Sequence, residues 1–263
     1  MHLADCVDVL PKLEPVDVCI QDPPYEVEAH TKARRSLKDA TQKRGARNTG
    51  EVRRIDRPLL INFTHMTSAL RSDVSRLEAR IVRRWTLTFC QVEAIGLWRQ
   101  AFEEAGLQWI RAGVWIKPNG MPQMTGDRPG QGFESLAIVH PKGRKRWNGG
   151  GKHAVWTVPL DHNAGGGGKN EHPTSKPVAL MLQLVSDFSQ HGEAILDPFA
   201  GSGTTGVACL RLGRRFIGVE RDERYFELAC ERLRAEEAGS TVQAARARQH
   251  ALFDVLATRH GGG

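Results

Sequence analysis

Apolar residues along the chain recur at two different spacings. Short runs over residues 16–20, 85–92, 107–116, 135–140, 194–196 and 215–219 are apolar, β-branched or aromatic, and they predict strands. Leu70, Val74, Leu77 and Ile81 stand at helical spacing and predict a helix over about residues 67–83. A second helix is expected through Trp98, Phe102 and Ala105, closed at Gly106, where a left-handed cap suits glycine. A third follows Pro177, with Val178, Met181, Leu182 and Val185 on one face, and residues 223–237 make a fourth. Strand–helix–strand alternation predicts a parallel sheet with helices on its faces.

Two stretches break this rhythm. Within residues 26–57, the stretch from Thr31 to Arg57 holds Lys32, Arg34, Arg35, Lys38, Lys43, Arg44, Arg47, Arg53, Arg54 and Arg57 against Asp39, Glu51 and Asp56, with almost no apolar periodicity. This reads as a mobile basic loop, either a solvated charge run or a flap that clamps phosphates. Residues 117–170 are rich in glycine, proline and basic residues. Arg144, Lys145 and Arg146 stand close to Trp147, and glycine runs lie at 149–151 and 165–168. The region reads either as an irregular surface excursion or as an insert that reads base edges.

A chain of 263 residues, 40% hydrophobic, has room for one large domain or a domain with an insert. The net charge of +7 is compatible with a polyanionic partner. No apolar run approaches the roughly 20 residues of a membrane span, and the first residues lack a signal-peptide pattern, so a soluble, cytoplasmic protein is expected. The five cysteines form no Cys-x-x-Cys pair and the ten histidines no His-x-x-x-His pair with an acid, so no metal site is expected.

Chemistry concentrates in two motifs, each following an apolar run. Asp22-Pro23-Pro24-Tyr25 cannot continue a regular strand, because two prolines remove two donors. It is either a plain turn or a site for a planar amino group. In the second case the carboxylate and a backbone carbonyl accept the two N–H bonds, and the tyrosine ring stacks on the base. Downstream, Asp197-Pro198-Phe199-Ala200-Gly201-Ser202-Gly203-Thr204-Thr205-Gly206 contains G-x-G-x-x-G, and Glu220 lies 19 residues beyond Gly201, where an acid can bind two ribose hydroxyls. A nicotinamide dinucleotide is the first candidate ligand. Only one helix and a tail follow Glu220, however, too little to complete a dinucleotide-binding sheet. Earlier strands must complete it, residues 16–20 among them, which would bring Asp22 and Gly201 to one edge. In His172-Pro173-Thr174-Ser175-Lys176-Pro177, a helix start accounts for residues 174–177 structurally and leaves His172 and Lys176 unexplained.

These motifs, in this order around a basic variable middle, and ending in Phe216-Ile217-Gly218-Val219-Glu220-Arg221-Asp222-Glu223, resemble the β class of amino-methylating DNA methyltransferases. The resemblance implies an α/β fold: a Rossmann-like S-adenosylmethionine-dependent methyltransferase sheet, circularly permuted, with helices on both faces. Residues 1–116 and 171–238 would form the catalytic domain, 117–170 the target-recognition insert, and 239–263 a C-terminal tail. It further implies that Asp22, Pro23, Pro24 and Tyr25 hold and stack the target base. Asp5, Cys6, Thr174, Ser175, Lys176, Asp197, Pro198, Phe199, Ala200, Gly201, Ser202, Gly203, Thr204, Glu220 and Arg221 would surround S-adenosylmethionine. Within that group, Asp5 would take the adenine amine, Glu220 the ribose, and Thr174, Ser175 and Lys176 the methionine carboxylate. Arg34, Arg35, Lys43, Arg44, Arg144, Lys145 and Arg146 would face double-stranded DNA.

Ser175 departs from the family's usual Gln, and Ala4 from its frequent Gly. Adenine N6 is favoured over cytosine N4 because the family's cytosine members more often carry Ser where Asp22 stands. A non-catalytic DNA-binding module is the alternative of a different class. The chemistry requires no metal. A homodimer reading a palindrome is expected, and a monomer by light scattering at micromolar concentration would count against it.

Overall fold

Four consecutive buried residues, Val18–Gln21, form the strand on which the architecture turns (β2). Val18 and Ile20 point to one face of the sheet and Cys19 to the other, as the two-residue period of a strand requires. The computed structural model describes residues 1–25, 65–120, 122–124, 126–161 and 175–240. In chain order the other elements are β1 (His2–Leu3), α1 (Cys6–Val9), α2 (Ser68–Ile81), β3 (Thr86–Cys90), α3 (Ile95–Glu104), β4 (Gln108–Ile116), β5 (Phe133–His140), β6 (Val155–Thr157), α4 (Val178–Phe188), β7 (Ala194–Asp197), α5 (Thr204–Arg211), β8 (Arg215–Glu220) and α6 (Glu223–Glu237).

The strands form one eight-stranded sheet in the order β1-β8-β7-β2-β3-β5-β4-β6. β5 runs antiparallel to both of its neighbours, and every other pairing is parallel. The sheet is completed as the sequence requires: β2 lies between β7 and β3, with Val18 opposite Ile195 and Cys19 opposite Thr86. Asp22 therefore follows the carboxyl end of one central strand, and Asp197 ends the strand beside it. That edge, at the centre of an open α/β sheet, is where such folds bind ligands.

Both faces are covered. Val18, Ile20, Leu87 and Phe89 pack with Leu180, Leu184 and Phe188 of α4 and with Ala208 and Cys209 of α5. On the other face Cys19 and Leu196 pack with Cys6 of α1 and with Val74 and Ile81 of α2. Trp98 and Phe102 of α3 pack there too, against Ala137 and Val139 of β5. Thr67 caps α2 by accepting from the amide of Leu70 at 3.1 Å. Gly106 adopts φ 90° after α3, the left-handed turn expected there. The stretch 117–170, expected as a target-recognition insert with one strand at 135–140, contributes β5 and β6 to the main sheet. The two-residue β1 and one-turn α1 are too short to show a period, and the apolar pattern gives no sign of them.

Candidate active site

Asp22 leaves the sheet as soon as β2 ends, and its carboxylate enters a polar cluster drawn from neighbouring elements. Lys176, just before α4, donates to Oδ2 of Asp22 and lies 3.3 Å from Oε2 of Glu134, at the start of β5. The Tyr25 hydroxyl donates to that same Glu134 oxygen at 2.8 Å, and Lys117, just beyond β4, pairs with Oε1. The Lys176 ammonium also lies 5.0 Å from the ring centre of Phe89 and 5.8 Å from that of Tyr25. Oδ1 of Asp22 is buried and has no hydrogen-bond partner among the described residues. An unpartnered buried acceptor of this kind is costly, and it marks a place for a donor from outside.

The charges are arranged unevenly. Burial raises the Asp22 pKa above the ordinary carboxylate range; Lys176 opposes the rise and Glu134 adds to it. Burial also works against the charges on Glu134 and Lys176, but their mutual pairing prevails. Lys176 and Lys117 bring Glu134 down to about 2, and Asp22 and Glu134 raise Lys176. Glu134 thus faces two ammonium groups, whereas Asp22 accepts directly from Lys176. Pro23, Pro24 and Tyr25 line a narrow crevice with Phe89, Cys90, Gln91, Ala94 and Trp98.

Beside this cluster, β7 ends in Asp197, whose carboxylate accepts from the Phe199 amide at 3.1 Å and the Thr205 hydroxyl at 2.6 Å, closing the loop 198–203 into α5. Gly201 and Gly203 have φ of 50° and 76°, which only glycine adopts at little cost. At Gly206 a Cβ would come within 2.7 Å of Leu233 and Phe216, so this glycine lets α5 approach α6 and β8. Glu220, at the end of β8, accepts from the amides of Gly201 and Asp222, both at 2.8 Å. Burial raises its pKa against those bonds. β1 lies parallel to β8 with Leu3 opposite Glu220, which brings Asp5 to the same edge. Asp5 caps α1 through the Val7 amide at 3.1 Å. Cys6 is buried, and burial with the neighbouring Asp5 pushes its thiol up to about 12, so it is an inert core thiol.

The residues expected around one ligand divide into two groups. Ser175 sits on the loop, its hydroxyl 3.1 Å from that of Ser202 and 3.0 Å from that of Thr204. Lys176, its neighbour, turns the other way, onto Asp22. Phe199 packs against the core clusters around α2 and α3, Ala200 bonds back to Val219, Pro198 is buried, and Arg221 is exposed. Thr174, Arg34, Arg35, Lys43 and Arg44 lie outside the described residues.

Arg144, Lys145 and Arg146 are exposed but lie away from Asp22. The antiparallel β5 carries the chain to the opposite edge, where the Arg146 carbonyl accepts from Trp85 Nε1 at 2.6 Å, before β3 begins. Sequence reasoning missed Glu134, Lys117 and Arg232. Arg232 of α6 is buried and donates to the Ser202 carbonyl at 2.6 Å and to its hydroxyl at 2.9 Å. Nothing local marks it in the sequence, because its partners Ser202 and Thr204 stand 30 and 28 residues away. Among the described residues no cluster of His, Cys, Asp and Glu could hold a metal, and no helix is long and apolar enough to cross a membrane.

The chain is similar to known proteins in sequence and fold. The family described as DNA methylase, N6_N4_Mtase, matches residues 16–231. The type II methyltransferase M.XycI of Xanthomonas campestris pv. cyanopsidis is 33% identical over 153 residues, covering 53% of this chain and 49% of that protein. The chain thus spans about half the length of that relative. The crystal structure of the M1.HpyAVI–SAM complex superposes with a TM-score of 0.64 at 26% identity, over 88% of this chain and 97% of the other. PvuII DNA methyltransferase, cytosine-N4-specific, shares the fold with a TM-score of 0.64 at 11% identity, over 88% and 84% of the two chains. The family match spans most of the chain and takes in both the Asp22 cluster and the glycine loop: the chain belongs to the N6/N4 DNA methylase family.

Proposed function

We propose that the chain is a site-specific DNA methyltransferase that transfers a methyl group from S-adenosylmethionine to the exocyclic N6 of an adenine flipped out of duplex DNA. One observation carries this reading: a buried, unpartnered carboxylate oxygen, Oδ1 of Asp22, beside an aromatic ring and next to a glycine loop shaped for a nucleoside. The glycine turn, the carboxylate of Glu220 beneath it and Asp5 at the same edge fit a nucleoside with a free ribose. Glu220 donates no bonds of its own, and each oxygen keeps acceptor capacity after meeting one amide. When bound, the cofactor supplies an electrophilic methyl group on a sulfonium.

The residues of the chain supply the rest. An aromatic amine is a poor nucleophile because its lone pair is delocalised into the ring. Asp22 Oδ1 and the Pro23 carbonyl would accept its two hydrogens and localise that pair. Flipping the base costs a few kcal/mol, and stacking on Tyr25 would return about 1–3 kcal/mol. Because β2 and β7 are adjacent, amine and methyl donor would meet across neighbouring loops, and such positioning lowers the barrier further. The preference for adenine over cytosine N4 rests on Asp22 standing where the family's cytosine members more often have Ser. Digesting methylated DNA to nucleosides and weighing the product tests it: N6-methyladenine is expected, whereas N4-methylcytosine would keep the chemistry and overturn the base.

A further inference from the structure

Methyl transfer by Asp22, Pro23 and Tyr25 assigns no work to Glu134, although three side chains from three elements converge on it. Tyr25 OH and Lys176 Nζ share Oε2, and Lys117 holds Oε1. Lys117 itself lies 4.8 Å from the ring centre of Trp115, which fixes it from below. These contacts lead to the two groups expected to grip the base: directly to Tyr25, and through Lys176 to Asp22.

We propose that Glu134 is a positioning residue for methyl transfer: it holds the Tyr25 hydroxyl and gives Lys176 a second acceptor, so that Lys176 engages one Asp22 oxygen and the other stays open to the target amine. This rests on the transfer reading and adds to it a residue that does not touch the substrate. The physical argument is one of competition. An ammonium with three donors and only one carboxylate partner can straddle both of its oxygens, occupying the acceptor that the amine needs. A second carboxylate, itself neutralised by a second ammonium, divides the attraction. The result is an Asp22 with one oxygen engaged and the other free, as observed.

A consequence for pH separates this from simple structural support. The charged or titratable groups facing Asp22 are Lys176, Glu134 and Lys117, with Tyr25 and Asp197 nearby. The Glu134 charge raises the Asp22 pKa, so removing it lets Asp22 stay ionised to lower pH.

The test compares the wild-type chain with Glu134→Gln and Tyr25→Phe. Turnover at saturating S-adenosylmethionine and saturating unmethylated plasmid DNA is measured across pH, with cofactor affinity measured separately. Glu134→Gln is expected to lower kcat at least tenfold, to leave cofactor affinity within about twofold and to move the acid limb of the rate profile to lower pH. Tyr25→Phe, which keeps the ring and the Glu134 charge, is expected to lower kcat without moving that limb, and the double variant to lose less than the product of the two losses. A Glu134→Gln protein with wild-type kcat and an unmoved limb overturns the inference and leaves the transfer reading standing. Should that variant not fold, a Tyr25→Phe protein with unchanged kcat overturns it equally. A wild type that binds cofactor and DNA yet transfers no methyl group overturns the transfer reading, and this inference with it.

Discussion

Asp22→Ala is expected to slow methyl transfer by about 10²–10⁴-fold, the range for losing a positioned proton acceptor or a preorganised polar group, with cofactor affinity within about twofold of wild type. The carboxylate is the group that localises the amine's lone pair, and its Oδ1 is open to accept from it. The fold should survive. Burial already disfavours the Asp22 charge, and without it Lys176 keeps Glu134 as a partner. Single-turnover transfer on the same DNA, with unfolding curves for both proteins, checks the two halves of this statement. Because Asp22 acts ionised and burial holds its pKa above the ordinary carboxylate range, the wild-type rate should fall as pH drops through that raised value, at a higher pH than an exposed aspartate would give.

The second large effect lies beneath the site. Glu78 of α2 is fully buried under β2, with Oε1 3.7 Å from Cys19 Sγ, and burial pushes its carboxyl from 4.5 up to about 8, partly opposed by bonds from Cys19 and Gln21. Asp197 likewise rises to about 7 by burial, against its bond from Thr205. A carboxyl whose folded pKa lies above its unfolded value binds its proton more tightly when folded. Its contribution is therefore complete below about 4.5 for Glu78 and is lost as pH rises through about 8.

At roughly 1.4 kcal/mol per pKa unit, Glu78 alone would make the protein up to about 4 kcal/mol less stable at pH 8.5 than at pH 4.5. Glu78→Gln should flatten that slope and leave the smaller fall due to Asp197 between about 4 and 7. Urea unfolding of both proteins at the two pH values is the check. An unchanged pH dependence would mean that Glu78 is ionised in the folded protein.

How much could be read from the sequence depends on how local each determinant is. Asp22-Pro23-Pro24-Tyr25 and the glycine loop are contiguous, and the reasons for their residue types lie mostly within a few positions: prolines that stop a strand, glycines at positive φ, and a glycine where a Cβ would strike Leu233. Their shared edge follows from β2 lying beside β7. Glu134 was not accessible. It opens a plain apolar strand, and its partners stand 17, 42 and 109 residues away, joined to it only by the antiparallel placement of β5.

Lys176 was visible as the residue that a helix start does not explain, yet not the direction it takes, since its partner Asp22 is 154 residues distant. Arg144, Lys145 and Arg146 show the converse. A basic cluster beside tryptophans has the composition of a nucleic-acid surface, but composition carries no direction, and β5 delivers these residues to the edge away from Asp22.

The central claim is that this chain moves a methyl group from S-adenosylmethionine to DNA through the Asp22 cluster. Incubating the purified protein with methyl-tritiated S-adenosylmethionine and unmethylated duplex DNA, and counting label retained on the DNA, tests it most directly. Label that accumulates with wild type and falls to about a hundredth or less with Asp22→Ala, at equal cofactor occupancy, is the predicted result. Equal labelling by the two proteins, or none by a wild type that binds both substrates, would contradict it.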